Sequence, residues 1–277
     1  MVYFLTALYC EGKDIIEHYK MKKIMEATKF QVFKGEDEIL AISGTSAVNA
    51  IAATTYLLTK FKYGENDIFV NVGLSGCFKE EVTKGSVFLC NKLINGFSKR
   101  AFYPDMLFRH PFKEGSLESF AKIVDKSEKL RNETDMVDME GAFFYEAASM
   151  FISPQNIYVI KIVSDNLNPR SVTKELVYNL MKQNMPKVYA WLRDRREFKV
   201  YSKEILNSKE NKILENLSYN LRLTTTMKYQ LKKLCKQYKI RNGQVVSKVR
   251  EYSLLKCKSK IEGKRAFGEL KEKLMEL

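Results

Sequence analysis

Three largely apolar runs stand out along the first 200 positions of the chain. They are rich in β-branched and aromatic residues and lie at Val2–Tyr9, Asp67–Val72 and Ile157–Val163. Runs of this length and composition predict strands that are buried on both faces. Stretches with helical spacing follow them, at Ala47–Phe61, Met139–Phe151 and Val172–Leu192. Strands that alternate with helices predict an α/β fold with a mixed central sheet flanked by helices.

The hydrophobic pattern changes near residue 200. Beyond it the apolar residues recur only with helical spacing, and Thr224 or Thr225 can cap one of these helices through its side-chain oxygen. No strand pattern occurs in this region. The sequence therefore predicts two domains, an α/β domain over residues 1–198 and a small, basic, all-helical domain over residues 199–277.

The net charge of +14 is unevenly distributed. Residues 1–185 contain 23 basic and 23 acidic residues, whereas residues 186–277 contain 24 basic and 10 acidic residues. A basic helical domain can bind nucleic acid phosphates, and two helices around Asn242-Gly243 have the outline of a helix-turn-helix pair. Alternatively, the charges form the solvated face of amphipathic helices. Nucleic acid binding by residues 200–277 therefore stays open.

Composition argues against several kinds of site. The two histidines, His18 and His110, lie far apart in the chain, so neither a zinc site nor Ser-His-Asp catalysis is expected, and we predict no metal or other cofactor. The five cysteines form no C-x-x-C pair, which predicts reduced thiols in a cytoplasmic protein. We expect no signal peptide, transmembrane helix or membrane partner, because no basic segment precedes the first apolar run and no 18-residue apolar run occurs.

Polar and glycine-rich segments follow the predicted strands. They are Glu11, Ser43-Gly44, Gly73–Gly76 and Ser164-Asp165. Open α/β sheets bind ligands in the crevice beyond the carboxyl ends of their strands. We therefore expect these segments to converge on one site.

Four segments of the chain carry a resemblance to a known family. They are Ala7-Leu8-Tyr9-Cys10-Glu11, Ile42-Ser43-Gly44-Thr45-Ser46-Ala47-Val48-Asn49-Ala50, Asn71-Val72-Gly73-Leu74-Ser75-Gly76, and Val137-Asp138-Met139-Glu140-Gly141-Ala142 followed by Val163-Ser164-Asp165. Their order and spacing resemble the purine nucleoside phosphorylase/uridine phosphorylase superfamily, most closely the 5′-methylthioadenosine/S-adenosylhomocysteine nucleosidases. The resemblance covers about residues 1–195. It implies a nucleoside phosphorylase-like fold, with catalysis in the first domain.

The resemblance also implies roles for individual residues. Met139 and Glu140 match a pair that contacts the ribose, where a carboxylate holds vicinal hydroxyls and stabilises oxocarbenium charge. Asp165 matches an aspartate that protonates the purine at N7 as a general acid. Glu11 matches an acid that activates the attacking water. The remaining residues of these motifs are expected to contact the substrate: Ser43, Gly44, Gly73, Leu74, Ser75, Gly76, Asp138 and Ser164.

Each of these residues also has a structural interpretation. Glu11 alone is typical of a solvated acid after a strand, and Glu140 of an acid favoured by the dipole of a helix N-terminus. Asp165 could cap the helix that follows, and Met139 could belong to the core. The occurrence of all four motifs in order favours the functional interpretation.

Water is the expected nucleophile. Phosphorolysis needs a bound phosphate dianion, which arginine usually holds, and neither Glu11-Gly12-Lys13 nor Ser43–Ala50 contains arginine. We therefore expect hydrolysis of the N-glycosidic bond of a purine nucleoside. A phosphate-dependent phosphorylase is one alternative. A degenerate nucleoside-binding module joined to a nucleic-acid-binding tail is another.

The resemblance implies a homodimer or a larger oligomer, because superfamily members generally pair subunits to complete the site. It leaves the substrate's base and 5′ substituent open. The nucleosidases carry an aromatic residue that stacks on the base before the Met-Glu strand, whereas Lys126–Asp135 contains no aromatic residue.

Overall fold

A computed structural model describes residues 1–26, 29–125, 134–200 and 205–275, without the side chains of residues 198–200. Most of Lys126–Asp135, the segment that contains no aromatic residue, therefore lies outside the described residues. The chain divides into two compact units, Met1–Lys199 and Val200–Leu277. That each unit is an independent domain stays a prediction.

The first unit contains ten described strands in one sheet. The strands are β1 (Val2–Thr6), β2 (Lys22–Lys23), β3 (Gln31–Lys34), β4 (Glu38–Ile42), β5 (Ile68–Cys77), β6 (Val87–Asn95), β7 (Ala101–Phe102), β8 (Lys113–Ser119), β9 (Met136–Asp138) and β10 (Ile157–Asp165). The helices of this unit are α1 (Tyr9–His18), α2 (Ala47–Lys60), α3 (Gly141–Ser149) and α4 (Lys174–Val200).

The sheet is mixed, as predicted, and part of it closes on itself. Strand β1 lies between β4 and β5 and is parallel to both, and β5 is also parallel to β10. Strand β10 continues through β6, β8 and β9 back to β5, so these five strands form a closed ring. Strands β4, β3 and β2 extend the sheet beyond β1.

Helices cover both faces of the sheet. Alternate residues of β1 enter two different cores: Tyr3 and Leu5 pack with α2 and α3, while Val2 and Phe4 pack with α1 and α4. Burial on both faces explains why β1, β5 and β10 occur as nearly continuous apolar runs. Each fully buried large apolar side chain contributes roughly 1.5–3 kcal/mol, so these strands anchor the sheet.

The second unit is helical throughout its described part. Its helices are α5 (Ser208–Asn220), α6 (Thr225–Asn242), α7 (Val246–Ser253) and α8 (Lys260–Met275). Thr224 caps α6 by accepting the N–H of Met227, and Gly243, with φ of 75°, ends it in the left-handed conformation. A separate core holds the helices together, including Leu217, Leu231 and Phe267. Among the described helices of the whole chain, none is long and apolar enough to cross a membrane.

Candidate active site

The predicted motifs lie around the carboxyl ends of four strands that run in parallel. Glu11 is in the first turn of α1, directly after β1, and Ser43-Gly44 follows β4. Gly73–Gly76 lies within β5, and Ser164-Asp165 ends β10. The predicted strand at Asp67–Val72 is therefore longer than its apolar run, because the main chain of the glycine-rich segment continues the sheet. The topology brings these motifs to one edge.

Glu11 is held by main-chain N–H groups on two sides. Its Oε2 accepts the N–H groups of Ala7 and Leu8, both at 2.9 Å, and its Oε1 accepts that of Leu74 at 3.0 Å. The bond to Leu8 also caps α1. Gly73 leaves room for this approach, because a Cβ there would lie 2.7 Å from Oε1 and the carboxylate would have to shift. Burial raises the pKa of Glu11, against the opposing effects of these N–H groups and of Lys161.

The same segment of β5 reaches Asp165 on its other side. Strands β5 and β10 pair Val163 with Ser75 and Asp165 with Gly76, so Ser164 is the extra residue of a β-bulge. Bulges often re-aim side chains next to active sites. A Cβ at Gly76 would lie 3.8 Å from Asp165 Oδ1, so the β5 segment Gly73–Gly76 contacts Glu11 at Leu74 and lies beside Asp165 at Gly76.

Ser164 links Asp165 to the β5 main chain. Its hydroxyl has one proton and two acceptors within reach, Asp165 Oδ2 at 2.6 Å and the Ser75 carbonyl oxygen at 3.2 Å. It can donate to an ionised Asp165, or accept from a protonated Asp165 while it donates to Ser75. Asp165 Oδ1 accepts the N–H of Asn168 at 2.6 Å. The geometry therefore accommodates both states that a general acid must adopt.

Glu140 binds the start of a neighbouring helix. Its Oε1 accepts the N–H of Ser46, the N-cap residue of α2, at 2.9 Å. The preceding turn is fixed locally: Ser43 donates its hydroxyl to the Gly44 carbonyl at 2.8 Å, and Gly44 has φ of 80°, which favours glycine. Met139, half-buried, lies between β9 and α3 directly before Glu140. The hydrogen bond between Ser46 and Glu140 thereby joins the motif Ile42–Ala50 to the motif Val137–Ala142.

Asp138 serves the framework of the site. Its Oδ1 accepts the hydroxyl of Ser119, and its Oδ2 accepts the first N–H of α3, from Gly141, at 2.8 Å. Lys161 Nζ lies 2.7 Å from the same Oδ2. Asp138 therefore stays a predicted substrate contact whose carboxylate oxygens already have partners within the protein.

Lys161 was not predicted as part of the site. It lies in the middle of β10, and its side chain is 3% exposed. One basic residue inside the otherwise apolar run Ile157–Val163 was the available signal, since a buried lysine requires a carboxylate partner. Burial acts against its charge, but Asp138, Glu140 and Glu11 outweigh that effect and raise its pKa.

Three carboxylates and one ammonium thus form a buried charge cluster, which we define as Glu11, Asp138, Glu140 and Lys161. With all four groups ionised, the cluster would carry three negative charges against the single positive charge of Lys161. Burial and the charge of Asp138 accordingly raise the pKa of Glu140 to about 7. Excess negative charge in a site of low polarity stabilises a developing cation.

A cavity of about 570 Å³ opens beside Asp165. The loop after β10 forms much of its wall, with Lys84, Asp125 and Arg170 also in the lining. Glu11 and Glu140 do not line this cavity.

Ser75 belongs to the β5 segment Gly73–Gly76. Its hydroxyl oxygen, Oγ, is buried and has no hydrogen-bond partner among the described residues. The described residues include no group of three or more His, Cys, Asp or Glu side chains that could hold a metal ion.

Removal of the Lys161 ammonium should destabilise the folded protein, because the buried carboxylates lose their positive partner. We expect Lys161→Met to lower the free energy of unfolding by about 3–5 kcal/mol, because Asp138 loses its counter-ion. Urea unfolding at neutral pH measures this loss. The double variant Lys161→Met/Asp138→Asn should recover part of it. A loss below about 1 kcal/mol would show that the ion pair contributes little.

Because the pKa of Glu140 is raised in the folded chain, we expect the free energy of unfolding to fall as the pH rises. Its pKa is about 7 in the folded chain, against an ordinary value of 4.5. Between these values the folded state retains a proton that the unfolded state has released, so stability from this group is complete below about pH 4.5 and is lost as the pH rises to about 7. Glu140→Gln, which cannot ionise, should therefore gain stability over the wild type across this range.

Urea unfolding of both proteins at pH 5 and pH 8 tests this expectation. The gain should approach roughly 1.4 kcal/mol for each unit by which the pKa is raised, while the amide oxygen of the substituted side chain can still accept the N–H of Ser46. Parallel stability profiles for the two proteins would show that Glu140 is ionised at the same pH in the folded and unfolded states.

The sheet, its flanking helices and the placement of the motifs define the nucleoside phosphorylase-like α/β fold, as predicted. No protein-family model matches the chain. A segment of 63 residues, 23% of this chain, is 35% identical to the 5′-methylthioadenosine/S-adenosylhomocysteine nucleosidase of Marinomonas sp. (strain MWYL1). The match spans 26% of that relative's length.

Solved structures are similar over most of the chain. A futalosine hydrolase mutant of Helicobacter pylori strain 26695 has a TM-score of 0.59 and 15% identity, over 70% of this chain and 98% of that chain. The 5′-methylthioadenosine/S-adenosylhomocysteine nucleosidase from S. pneumoniae, with the transition-state inhibitor MT-ImmA, has a TM-score of 0.58 and 18% identity, over 69% and 97%. The Neisseria meningitidis nucleosidase, in complex with methylthio-immucillin-A, has 0.58 and 20%, over 68% and 96%. These likenesses confirm the predicted fold.

Proposed function

We propose that the chain hydrolyses the N-glycosidic bond of a purine nucleoside of the methylthioadenosine/S-adenosylhomocysteine type and releases the base. The observation that carries the proposal is the position of Glu11 and Asp165 on either side of the β5 segment Gly73–Gly76. The similar proteins named above, which include nucleosidases with bound nucleoside analogues, support the substrate class.

The reaction follows from the chemistry of these groups. Asp165 donates a proton to N7 of the purine, and the electron pair of the C1′–N9 bond leaves with the base. Glu140 holds the ribose hydroxyls, and the surrounding negative charge stabilises the oxocarbenium ion. Glu11 accepts a proton from water as the oxygen attacks C1′, so the products are the free base and the free sugar.

Electrostatics favours water over phosphate as the nucleophile. The described cation of the charge cluster is Lys161, and Asp138 already holds it. A phosphate dianion would meet the carboxylates of Glu11 and Glu140 in a buried region, where like charges repel strongly. A water molecule is uncharged, so these carboxylates do not repel it.

A nucleoside panel with and without phosphate tests the proposal. Methylthioadenosine, S-adenosylhomocysteine, adenosine, inosine and uridine are incubated with the full chain, and the products are separated by liquid chromatography. We expect adenine and a free 5-thio-substituted ribose from the first two substrates without phosphate. If base is released only in the presence of phosphate, the chain is a phosphorylase. If no base is released under either condition, both enzyme interpretations are wrong and the nucleoside-binding module is the remaining alternative.

We also propose that the active form is a homodimer or larger oligomer. Ser46, the N-cap residue of α2, donates its N–H to Glu140, and Val48 and Ile51 on this helix are 74% and 44% exposed. Residues three apart are neighbours on a helix surface, so this apolar face lies close to the site. Sedimentation equilibrium of the purified chain should give at least twice the mass of one chain.

A further inference from the structure

Large apolar residues are exposed where α7 is joined to α8. Leu254 and Leu255 directly follow α7, and Ile261 lies in the first turn of α8; they are 78%, 47% and 83% exposed. Tyr219, near the end of α5, is 83% exposed. Apolar residues that are exposed singly need no explanation, whereas neighbouring ones with a polar rim mark a surface that binds a protein or a membrane.

Main-chain contacts hold the end of α5 beside the segment between α7 and α8. The N–H of Cys257 donates to the carbonyl oxygen of Asn220 at 3.0 Å, and the side-chain amide of Asn220 donates to the carbonyl oxygen of Ser253 at 2.8 Å. Helix α8 also approaches α5 closely, because a Cβ at Gly263 would lie 1.8 Å from the Leu221 carbonyl oxygen. Tyr219 and residues 254–261 are therefore adjacent in the fold, and we define them together as the 254–261 surface.

Three lysines are interleaved with the other residues of this surface. Residues 254–261 contain Lys256, Lys258 and Lys260 and no acidic residue, and all three lysines are exposed. Within the described part of the chain, their ammonium groups form no ion pair or hydrogen bond. These ammonium groups are therefore available to an anionic partner.

The acids closest to this segment in the chain have partners within the protein. Glu262 accepts the main-chain N–H of Lys258 at 2.7 Å, and Glu251 lies 3.5 Å from Lys273. The N–H of Glu262 in turn donates to the hydroxyl of Ser259 at 3.2 Å, which fixes the chain locally at the start of α8. Residues 254–264 contain four lysines and one acid, so this part of the surface is positive.

The side chains beside the lysines favour a lipid bilayer over nucleic acid. Leu254, Leu255 and Ile261 are aliphatic, so each gains free energy when it leaves water for acyl chains. They cannot stack on bases, as the aromatic rings of single-strand-binding proteins do. A tyrosine such as Tyr219 is typical of the headgroup region of a membrane. An anionic bilayer therefore complements both the apolar residues and the charge of this surface.

We propose that the 254–261 surface binds the face of an anionic phospholipid bilayer. Leu254, Leu255 and Ile261 enter the boundary between headgroups and acyl chains, and the three lysines contact the anionic headgroups. The sequence predicted no membrane partner because it contains no leader or spanning segment, and binding at the bilayer surface requires neither. Membrane binding of this kind is independent of the reaction proposed for the first unit.

Vesicle flotation with the full chain tests this surface. The probes are vesicles of pure phosphatidylcholine and vesicles in which about one third of the lipid is phosphatidylserine. We expect binding to the mixed vesicles only, weakened by added salt, which screens the lysines. Lys256→Gln/Lys258→Gln/Lys260→Gln should weaken that binding roughly 100-fold, because each lysine near an anionic surface strengthens binding about fivefold.

A matched variant separates the position of the lysines from net charge. Lys209→Gln/Lys212→Gln/Lys233→Gln removes the same charge from exposed positions on α5 and α6. It should change binding by less than about threefold, because salt screens charges that lie more than about 10 Å from the lipid. Circular dichroism confirms that both variants are folded, which is expected because all six positions are exposed.

The apolar contribution is measured in the same assay. Leu254→Ser/Leu255→Ser should weaken binding to the mixed vesicles about tenfold or more at low and at high salt, because burial of apolar area does not depend on screening. Tyr229→Ser/Ile240→Ser is the matched control, since these residues of α6 are 75% and 68% exposed but lie outside the 254–261 surface. It should bind as the wild type does.

Insertion into the bilayer has a direct spectroscopic signal. The chain contains one tryptophan, Trp191, which is buried in the first unit. Leu254→Trp therefore adds an exposed fluorophore on the 254–261 surface. Its emission should shift to the blue on mixed vesicles, whereas the emission of the wild type should not change.

Several results would overturn the proposal. These are no binding to the mixed vesicles, equal binding to both kinds of vesicle, equal losses in the two lysine variants, or an unshifted emission of Leu254→Trp on mixed vesicles. Binding of an oligothymidylate in place of the mixed vesicles would assign the surface to nucleic acid and would likewise contradict membrane binding.

Discussion

Asp165→Asn should reduce the rate of base release by about 10²–10⁴-fold. Asparagine is close to isosteric with aspartate and can still accept the N–H of Asn168, but it has no carboxyl proton to give to N7. The purine would then have to leave as an anion. Steady-state rates with methylthioadenosine at saturation measure the loss in kcat.

Binding and chemistry can be separated in the same variant. A 7-deazapurine analogue has no N7 to protonate, so its affinity should be nearly equal for the wild type and Asp165→Asn, while cleavage of the normal nucleoside falls. Asp194→Asn, an exposed position on α4, is the matched control and should retain full activity. Loss of analogue binding together with activity would indicate a damaged site and contradict the acid role.

Glu11→Gln should reduce hydrolysis by a similar factor, about 10²–10⁴, because an amide cannot take a proton from water. The wild-type rate should rise with pH through the raised pKa of Glu11, since the base acts in its ionised form. The variant should lack this rise. A pH profile of kcat therefore tests the role independently of the size of the loss.

Glu11 also caps α1, so its structural contribution needs its own control. Gly73→Ala leaves the carboxylate intact but places a Cβ about 2.7 Å from Oε1, which must move. We expect a slower enzyme that retains the pH-dependent rise. Glu17→Gln, a half-exposed acid on the same helix, should have almost no effect. A Glu11→Gln variant with normal kcat would remove Glu11 from the mechanism.

The strands that the hydrophobic pattern predicted are those buried on both faces. β1, β5 and β10 are almost entirely apolar where helices cover the sheet on each side. Strand β8, Lys113–Ser119, lacks such an apolar run and was not predicted. Its buried positions include Ser119, whose hydroxyl bonds to Asp138, so tertiary hydrogen bonds replace the apolar signal.

The sequence by itself determined the α/β alternation, the helical second unit and the residue types of the motifs, because periodicity, capping and glycine placement act over a few neighbouring residues. It did not determine which charges meet. Lys161 and Asp138 are 23 positions apart in the chain and only 2.7 Å apart in space. That proximity, the burial that raises the pKa of Glu140 to about 7, and the shared β5 segment between Glu11 and Asp165 depend on strand pairing. Tertiary structure decided them, since buried charges interact strongly only after folding removes water and brings distant residues together.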